Sequence, residues 1–486
     1  MKRFALIFVQ VVLTLQFLLT SQAFAAESAF TWEAALRDGF HADLPTVCAA
    51  DFGFSPAATP DANAQALQKA LDGGRKIVKI TEPGEYLLDR TVYLDDFTVL
   101  SCEPGVILKK AAGYVHVLVN RGVLTRSWNQ NIFLENVQIS VNEKSVCSPV
   151  GSPTFGLRGH VSFFRAKNVG IRNFKCLDVF GGQFCVQFCS FENFLMEDFE
   201  IRGMKDGMHV GAGKNFIIRN GLCQTFDDAI ALNAQDYATS QPTQGTIENG
   251  LVENVTDLNL DPTSGNAVRL LTGAWVDWHE GIMLQNGDTV RHGKNIYRVH
   301  AKLDTTQYRS SVPPTHSEGS WVSPDGINFV HNSNDGLDRA EILNVTIRNF
   351  KSLSRNGFAA WWEDGKWHRA VHPEVKPENL PRCEIYVENF VSETPKNRNL
   401  LSGNTNLKAT FKNVRSNGAI LSVGASANPL VMDCSFEGCV FLADDKPETI
   451  PDVRVTGNAS GTIRFSDCRE ERPIRLNVPE SVTIEK

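Results

Sequence analysis

From about residue 129 one phrase keeps returning along this chain: an Asn, a short Val/Ile-rich run, a second turn residue, then another short run. Instances are "NQNIFLENVQISVN", "AKNVGIRNFKCLDV", "FENFLMEDFEIRGM", "GKNFIIRNGLCQTF", "IENGLVENVTDLNL", "AEILNVTIRNFKSL", "LKATFKNVRSNGAI" and "LVMDCSFEGCVFLA". The runs span roughly four to six residues and alternate in polarity, which is the period of a strand and not of a helix. Asn and Gly punctuate them, as tight left-handed turns require. Short strands about 22 residues apart, with hardly any helix between, point to a parallel β-solenoid. A leucine-rich repeat has a similar period but needs Leu at fixed offsets, whereas the inward positions here mix Val, Ile, Phe and Leu. The expected fold class is all-β: a right-handed parallel β-helix with an N-terminal capping helix and a small β insertion.

The capping helix is expected at "TPDANAQALQKALDGG", residues 59–74. Leu67, Ala70 and Leu71 share one face, and Gly73-Gly74 ends it. The first coil of a solenoid has unpaired strand edges and an open core, and an amphipathic helix is the natural plug.

Two phrases carry acid at the mouth of a strand: "KDGMHV" from Lys205 and "DDAIAL" from Asp227. In a solenoid each coil lies one strand spacing, about 4.8 Å, above the last. Apolar side chains must point inward, which sets the register. Met208 and Val210 then stack on Ile230 and Leu232, with Val186 and Phe188 one coil earlier and Val268 and Leu270 one coil later. The same shift puts Asp206 over Asp228, with Asp227 alongside and Asn266 next in the column. The neighbouring outward column reads Gln187, His209, Ala231, Arg269. A small residue between polar ones leaves room for a ligand. Lys205 and Asn233, at the ends of the two phrases, complete the expected substrate contacts near the acids.

Carboxylates on adjacent rungs repel, so some should hold a proton at neutral pH. A protonated acid beside an ionised one suits glycosidic cleavage, in which one group protonates the leaving oxygen and another deprotonates water. An Asp at a turn often only caps it through side-chain hydrogen bonds. Three on one column beside His209 and Arg269 point instead to a site.

Together, "ANAQALQKALDGG", "PGEYLLDRTVYLDDFTVLSCEPGVILK", the repeat and "KDGMHV…FDDAIALN" resemble the polygalacturonase-like glycoside hydrolases of the pectinase β-helix superfamily. The resemblance spans roughly residues 45–470. That family carries Asn-Thr-Asp, then Asp-Asp one coil later, then Gly-His-Gly and Arg-x-Lys. It implies Asp227 as general acid and Asp206 with Asp228 as activators of water, with inversion, no metal and no cofactor. Met204-Lys205 stand here in place of Asn-Thr, and Gly265-Asn266-Ala267 in the register of Gly-His-Gly. No Arg-x-Lys follows, and Arg269 is the candidate replacement for a cationic subsite. Two alternatives stay open: a polysaccharide lyase on the same fold, and a non-catalytic carbohydrate-binding or adhesion β-helix.

The stretch 275–333 breaks the repeat and is expected to fold as an inserted β module. Its Trp275, Trp278, Trp321 and Tyr297 suit either a sugar platform or a small core of their own. Beyond it "NGFAAWWEDG" resumes the solenoid, with Trp361 and Glu363 facing outward as further candidate contacts. Asn254, Asn344 and Asn458 head Asn-x-Ser/Thr sequons and equally suit turns.

Lys2 and Arg3, the apolar run Phe4–Leu19 and Ala23-Phe24-Ala25 read as a signal peptide over 1–25, hence export to the periplasm or exterior. The expected divisions are 1–25, then 26–274 as cap and first part of the helix, the 275–333 module, and 334–486 as the remainder. Without Lys2 and Arg3, 46 basic residues face 55 acidic ones, a net charge of −9. With no basic run, nucleic acid is not an expected partner, nor is a membrane after cleavage; the expected partner is a polysaccharide or oligosaccharide. The 11 cysteines show no zinc pattern. Cys185 with Cys189, or Cys434 with Cys439, are candidate pairs, and buried free thiols the alternative.

Overall fold

The computed structural model describes residues 32–34, 36, 41, 43–261, 263–300, 307–332, 339–353, 356–361, 371–393, 399–425, 428–442 and 449–486. The stretch 1–25, expected to be a signal peptide, and Trp362 and Glu363 lie outside them. Among the described residues no helix is long and apolar enough to cross a membrane.

The described coils stack as a right-handed parallel β-helix with three walls. One wall is built of short strands, among them Leu118–Asn120, Met208–Val210, Ile230–Asn233, Asn266–Leu271, Asn356–Trp361, Asn399–Gly403 and Ala419–Gly424. Its register follows the repeat: Val186, Met208, Ile230, Val268 and Phe358 form one inward column. Gln187, His209, Ala231, Arg269 and Ala359 form the adjacent column. Inward rings stack from coil to coil, as in Phe411 on Phe436 at 5.0 Å and Phe436 on Phe465 at 5.1 Å. This spacing matches the rise per coil, so each ring covers the next and the core is continuous.

The repeated asparagines explain the corners. Asn131, Asn168, Asn193, Asn215, Asn249 and Asn344 all take positive φ between 52° and 62°. Each amide donates to the one on the coil before, from Asn168 on Asn131 at 2.9 Å to Asn344 on Asn249 at 2.7 Å. A second ladder runs through Asn220, Asn254, Asn349 and Asn389. Asn is favoured because it tolerates the left-handed bend and its amide carries both a donor and an acceptor for stacking. The sequon residues Asn254 and Asn344 are thus ladder members.

The helix Pro60–Leu71 starts where Thr59 accepts a bond from Ala62 N at 3.3 Å. Its buried Leu67, Ala70 and Leu71 join the main core and close the first coil. Strands Val276–Asp277, Thr289–His292, Asn295–Val299, Ser320–Val322 and Asn328–Asn332 form a separate sheet. Tyr297 is fully buried there with Ile282, Val290 and Phe329, and Trp278 and Trp321 pack against them. Trp275 joins the solenoid core. Tyr297 and Trp275 are therefore core, and Trp278 and Trp321 are half-buried against the module's own cluster.

All 11 cysteines are free thiols, so neither candidate pairing forms. Cys185 and Cys189 lie four residues apart on one extended run, about 13 Å, beyond disulfide reach. Cys439 Sγ instead donates to Phe411 O at 3.4 Å.

Candidate active site

The acid column runs Asp206, Asp228, Asn266, Asn356 at the entrance to the short-strand wall. The backbone ties it together: Gly207 N donates to Asp228 O at 3.0 Å and Ala229 N to Asn266 O at 3.0 Å. Gly207 permits the close approach, since a Cβ there would lie 2.6 Å from Ala229 O. One carboxylate oxygen from each of Asp206, Asp227 and Asp228 lies within 4.8 Å of the others. This is also a metal-ligand spacing, but Lys205 supplies a cation from the chain. Its Nζ is bonded to Asp227 Oδ2 and lies 3.3 Å from Asp206 Oδ1.

The acids differ in access and in charge balance. Asp206 and Asp228 side chains are 5% and 1% exposed, whereas Asp227 is 30%, Lys205 24% and Arg269 21% exposed. The cluster therefore meets solvent along the edge formed by Asp227, Lys205 and Arg269. Burial favours the neutral form of Asp206, but Lys205, His209 and Arg269 outweigh it and hold the carboxyl well below the usual range. Burial and the Asp206 charge push Asp228 up, against Arg269 and Asn266. Asp228 Oδ1 accepts from Asn266 N at 2.9 Å and from Asn266 Nδ2 at 2.7 Å, and Arg269 Nη1 stands 3.8 Å from Oδ2. The pair is thus asymmetric: Asp206 is the ionised member and Asp228 the one inclined to hold a proton.

His209 is buried and stacks on Phe184 with ring centroids 4.1 Å apart. Its Nδ1 lies 3.4 Å from Asp206 Oδ2, and its Nε2 lies 3.6 Å from Asp236 Oδ2. It orients the acid from below and does not reach the solvent edge. Gln187 is also withdrawn. Its Oε1 accepts from Arg158 N at 2.7 Å and Gly159 N at 3.1 Å, and its Nε2 donates to Ser240 O at 2.7 Å. Asn233 is buried and donates to Asp236 Oδ2 at 2.7 Å. Ala231 is buried as well, so the room expected above it is filled. Gln187, His209 and Asn233, expected as substrate contacts, are thus buried, with Ser240 O and Asp236 Oδ2 of the segment 234–246 among their neighbours, while His209 Nε2 and Asn233 Oδ1 make no hydrogen bond among the described residues.

Asn266 binds Asp228 directly, and Asn356 Nδ2 donates on to Asn266 Oδ1 at 3.3 Å. Trp361 is half-buried, stacked in register over Leu271 and Asn233, two coils from the acids. Three contributors were missed. Phe184 lies 22 residues before Asp206, so the column itself could have found it. Arg158, whose guanidinium lies 5.2 Å from the Phe184 ring, and Asp236 lie off the repeat and carry no such signal.

No family model matches the sequence, and no curated protein matches it. Among solved structures, the chain is similar to a Yersinia enterocolitica family 28 exopolygalacturonase at 14% identity, covering 92% of this chain and 79% of that one, TM-score 0.48. It is similar to a hyperthermoactive Thermotoga maritima exopolygalacturonase at 11% identity, covering 91% and 96%, TM-score 0.46. It is also similar to an Azotobacter vinelandii mannuronan C-5 epimerase A-module at 12% identity, covering 90% and 99%, TM-score 0.41. The epimerase differs in activity from the two exopolygalacturonases, and at such identities and scores the likenesses carry no argument about this chain's chemistry. The parallel β-helix rests on its own strand ladders.

Proposed function

We propose that the protein is an exported glycoside hydrolase that cleaves a polysaccharide by carboxylate acid/base catalysis with inversion. The observation that supports this best is the convergence of three carboxylates on adjacent coils, within 4.8 Å, with opposite electrostatic bias on Asp206 and Asp228. Oxygens that close can share one water at ordinary bond lengths of about 2.8 Å. Asp206, ionised, takes the proton of that water, and Asp228 helps to hold it. Asp227, at the solvent edge, gives up its bond to Lys205 as substrate enters, takes up a proton from solvent, and passes that proton to the glycosidic oxygen as the bond to it breaks. Water adds to the anomeric carbon as the bond to the leaving oxygen breaks, and one new reducing end forms. Inverting pairs in general stand about 6.5–9.5 Å apart to admit water between them. Here the water is placed by two acids together, and the third is the donor.

Lyase chemistry needs a neutral base to take a ring proton, and a lysine bonded to Asp227 is poorly placed for that role. Incubation with pectic, arabinan and galactan fragments separates the outcomes. Hydrolysis releases saturated reducing ends, and proton NMR of the first product should show the inverted anomer. An unsaturated product absorbing in the ultraviolet would overturn the proposal, as would no cleavage of any of these polymers.

A further inference from the structure

A second concavity, with a volume of about 460 Å³, lies at the corner where the short-strand wall turns into the next wall. Trp128, Ser190, Glu192, Lys214, Gln244 and Glu248 are among its lining residues. We propose that it is a second glycan-binding site, taking a neutral sugar unit of a polysaccharide and doing no chemistry.

Three observations point there. Trp128 is 45% exposed, although a large indole is normally turned inward. Lys167 Nζ stands 5.3 Å from the ring centroid, and the remaining exposed apolar surface of the indole suits the C–H face of a sugar ring. Ser190 is only 3% exposed, yet its hydroxyl has no hydrogen-bond partner among the described residues. Buried polar atoms are rarely left so unless a ligand or water completes them. The rim is an alternating ladder, in which Lys167, Glu192, Lys214 and Glu248 occupy successive coils in register. Glu192 Oε2 lies 3.1 Å from Lys167 Nζ, and its Oε1 3.9 Å from Lys214 Nζ. Two carboxylates and two ammonium groups offer acceptors and donors for hydroxyls but no net charge for a uronate. That balance selects a neutral sugar.

The position adds a use. The site spans the same coils as the acid cluster, at the opposite end of the short strands. Asp206 precedes Met208 by two residues and Ala212, in the pocket wall, follows Val210 by two. Six extended residues set the two sites about 20 Å apart. Binding here would hold a polymer beside the cluster without occupying it. The site stands whether or not the cluster hydrolyses anything.

The test uses the full chain carrying Asp228→Asn, so that no probe is digested, in native gels cast with galactan, arabinan or polygalacturonate. Retardation by galactan or arabinan is expected, and adding Trp128→Ala should raise the dissociation constant at least tenfold. Trp128→Phe, which keeps a ring, should retain most of the binding. Absence of retardation by both neutral polymers would overturn the site. So would retardation indifferent to Trp128. Trp128-dependent retardation by polygalacturonate as strong as by the neutral polymers would overturn the sugar class. Loss of hydrolysis in the wild-type chain with Trp128-dependent binding intact would instead count only against the catalytic proposal.

Discussion

Lys205 Nζ is bonded to Asp227 Oδ2 and stands 3.3 Å from Asp206 Oδ1. One ammonium thus bridges the exposed acid and the buried one. The acid/base proposal makes Lys205 an electrostatic regulator of both.

Its removal has a definite sign. Lys205 lowers Asp206, so Lys205→Met lets that carboxyl rise toward its ordinary range. The base must be ionised to act, so the acidic limb of the kcat/KM profile should move to higher pH. A pH–rate profile of the variant, set beside the wild type, checks this. An unmoved limb would separate Lys205 from the base.

Asn266 donates twice to Asp228 Oδ1 and is half-buried above it. Asn266→Ala removes the side-chain bond and leaves a buried acceptor poorly satisfied. A loss of about 1–3 kcal/mol in unfolding free energy is expected, read from denaturant titration. Asp228 should also rise further, since Asn266 is one of the groups holding it down.

Gly207 sets the distance between the two acid coils. In Gly207→Ala the new Cβ must displace Ala229 O, which it would otherwise meet at 2.6 Å. A loss of about 1–3 kcal/mol is expected. Activity should fall more than stability implies, because catalysis is sensitive to small displacements of its groups. Thermal unfolding and kcat measured on the same preparation separate the two effects.

Lys110 offers a test of the core independent of function. It is fully buried, donates to Tyr114 O at 2.6 Å and Val115 O at 2.9 Å, and burial pulls its pKa down to about 7. Between about pH 7 and its unfolded value near 10.5, the unfolded chain binds more protons, so Lys110 makes stability rise with pH across that window. Below pH 7 both states carry the proton and the penalty of the buried charge is complete. Buried thiols and tyrosines such as Cys102 and Tyr86, both pushed up to about 12, act in the opposite sense at high pH. The difference in unfolding free energy between wild type and Lys110→Met isolates the lysine. The wild type should gain on the variant as pH rises from 7 to 10.

The columns were legible because inward side chains must be apolar and the coils from Val186 to Met208 and from Met208 to Ile230 are equal in length. Val186, Met208, Ile230 and Val268 fix one another, and Asp206 and Asp228 follow without further information. The Asn ladders were legible in outline, since left-handed corners select few residue types. What surrounds the acids was not. The segment 234–246 lies between coils and obeys no period, so its capture of Gln187, His209 and Asn233 left no pattern in the chain. The same holds for Asp236 and Arg158. The Cys185–Cys189 pair suggested by proximity in sequence failed because an extended strand carries near neighbours far apart in space.

The most direct measurement is reducing-end release from whichever pectic, arabinan or galactan fragment the wild-type chain cleaves, repeated with Asp206→Asn, Asp227→Asn and Asp228→Asn. Each substitution should lower kcat by about 10²–10⁴-fold, with thermal unfolding reported alongside to confirm a folded chain. Wild-type rates in a folded Asp227→Asn or Asp228→Asn variant would contradict the claim that these three carboxylates cut the glycosidic bond.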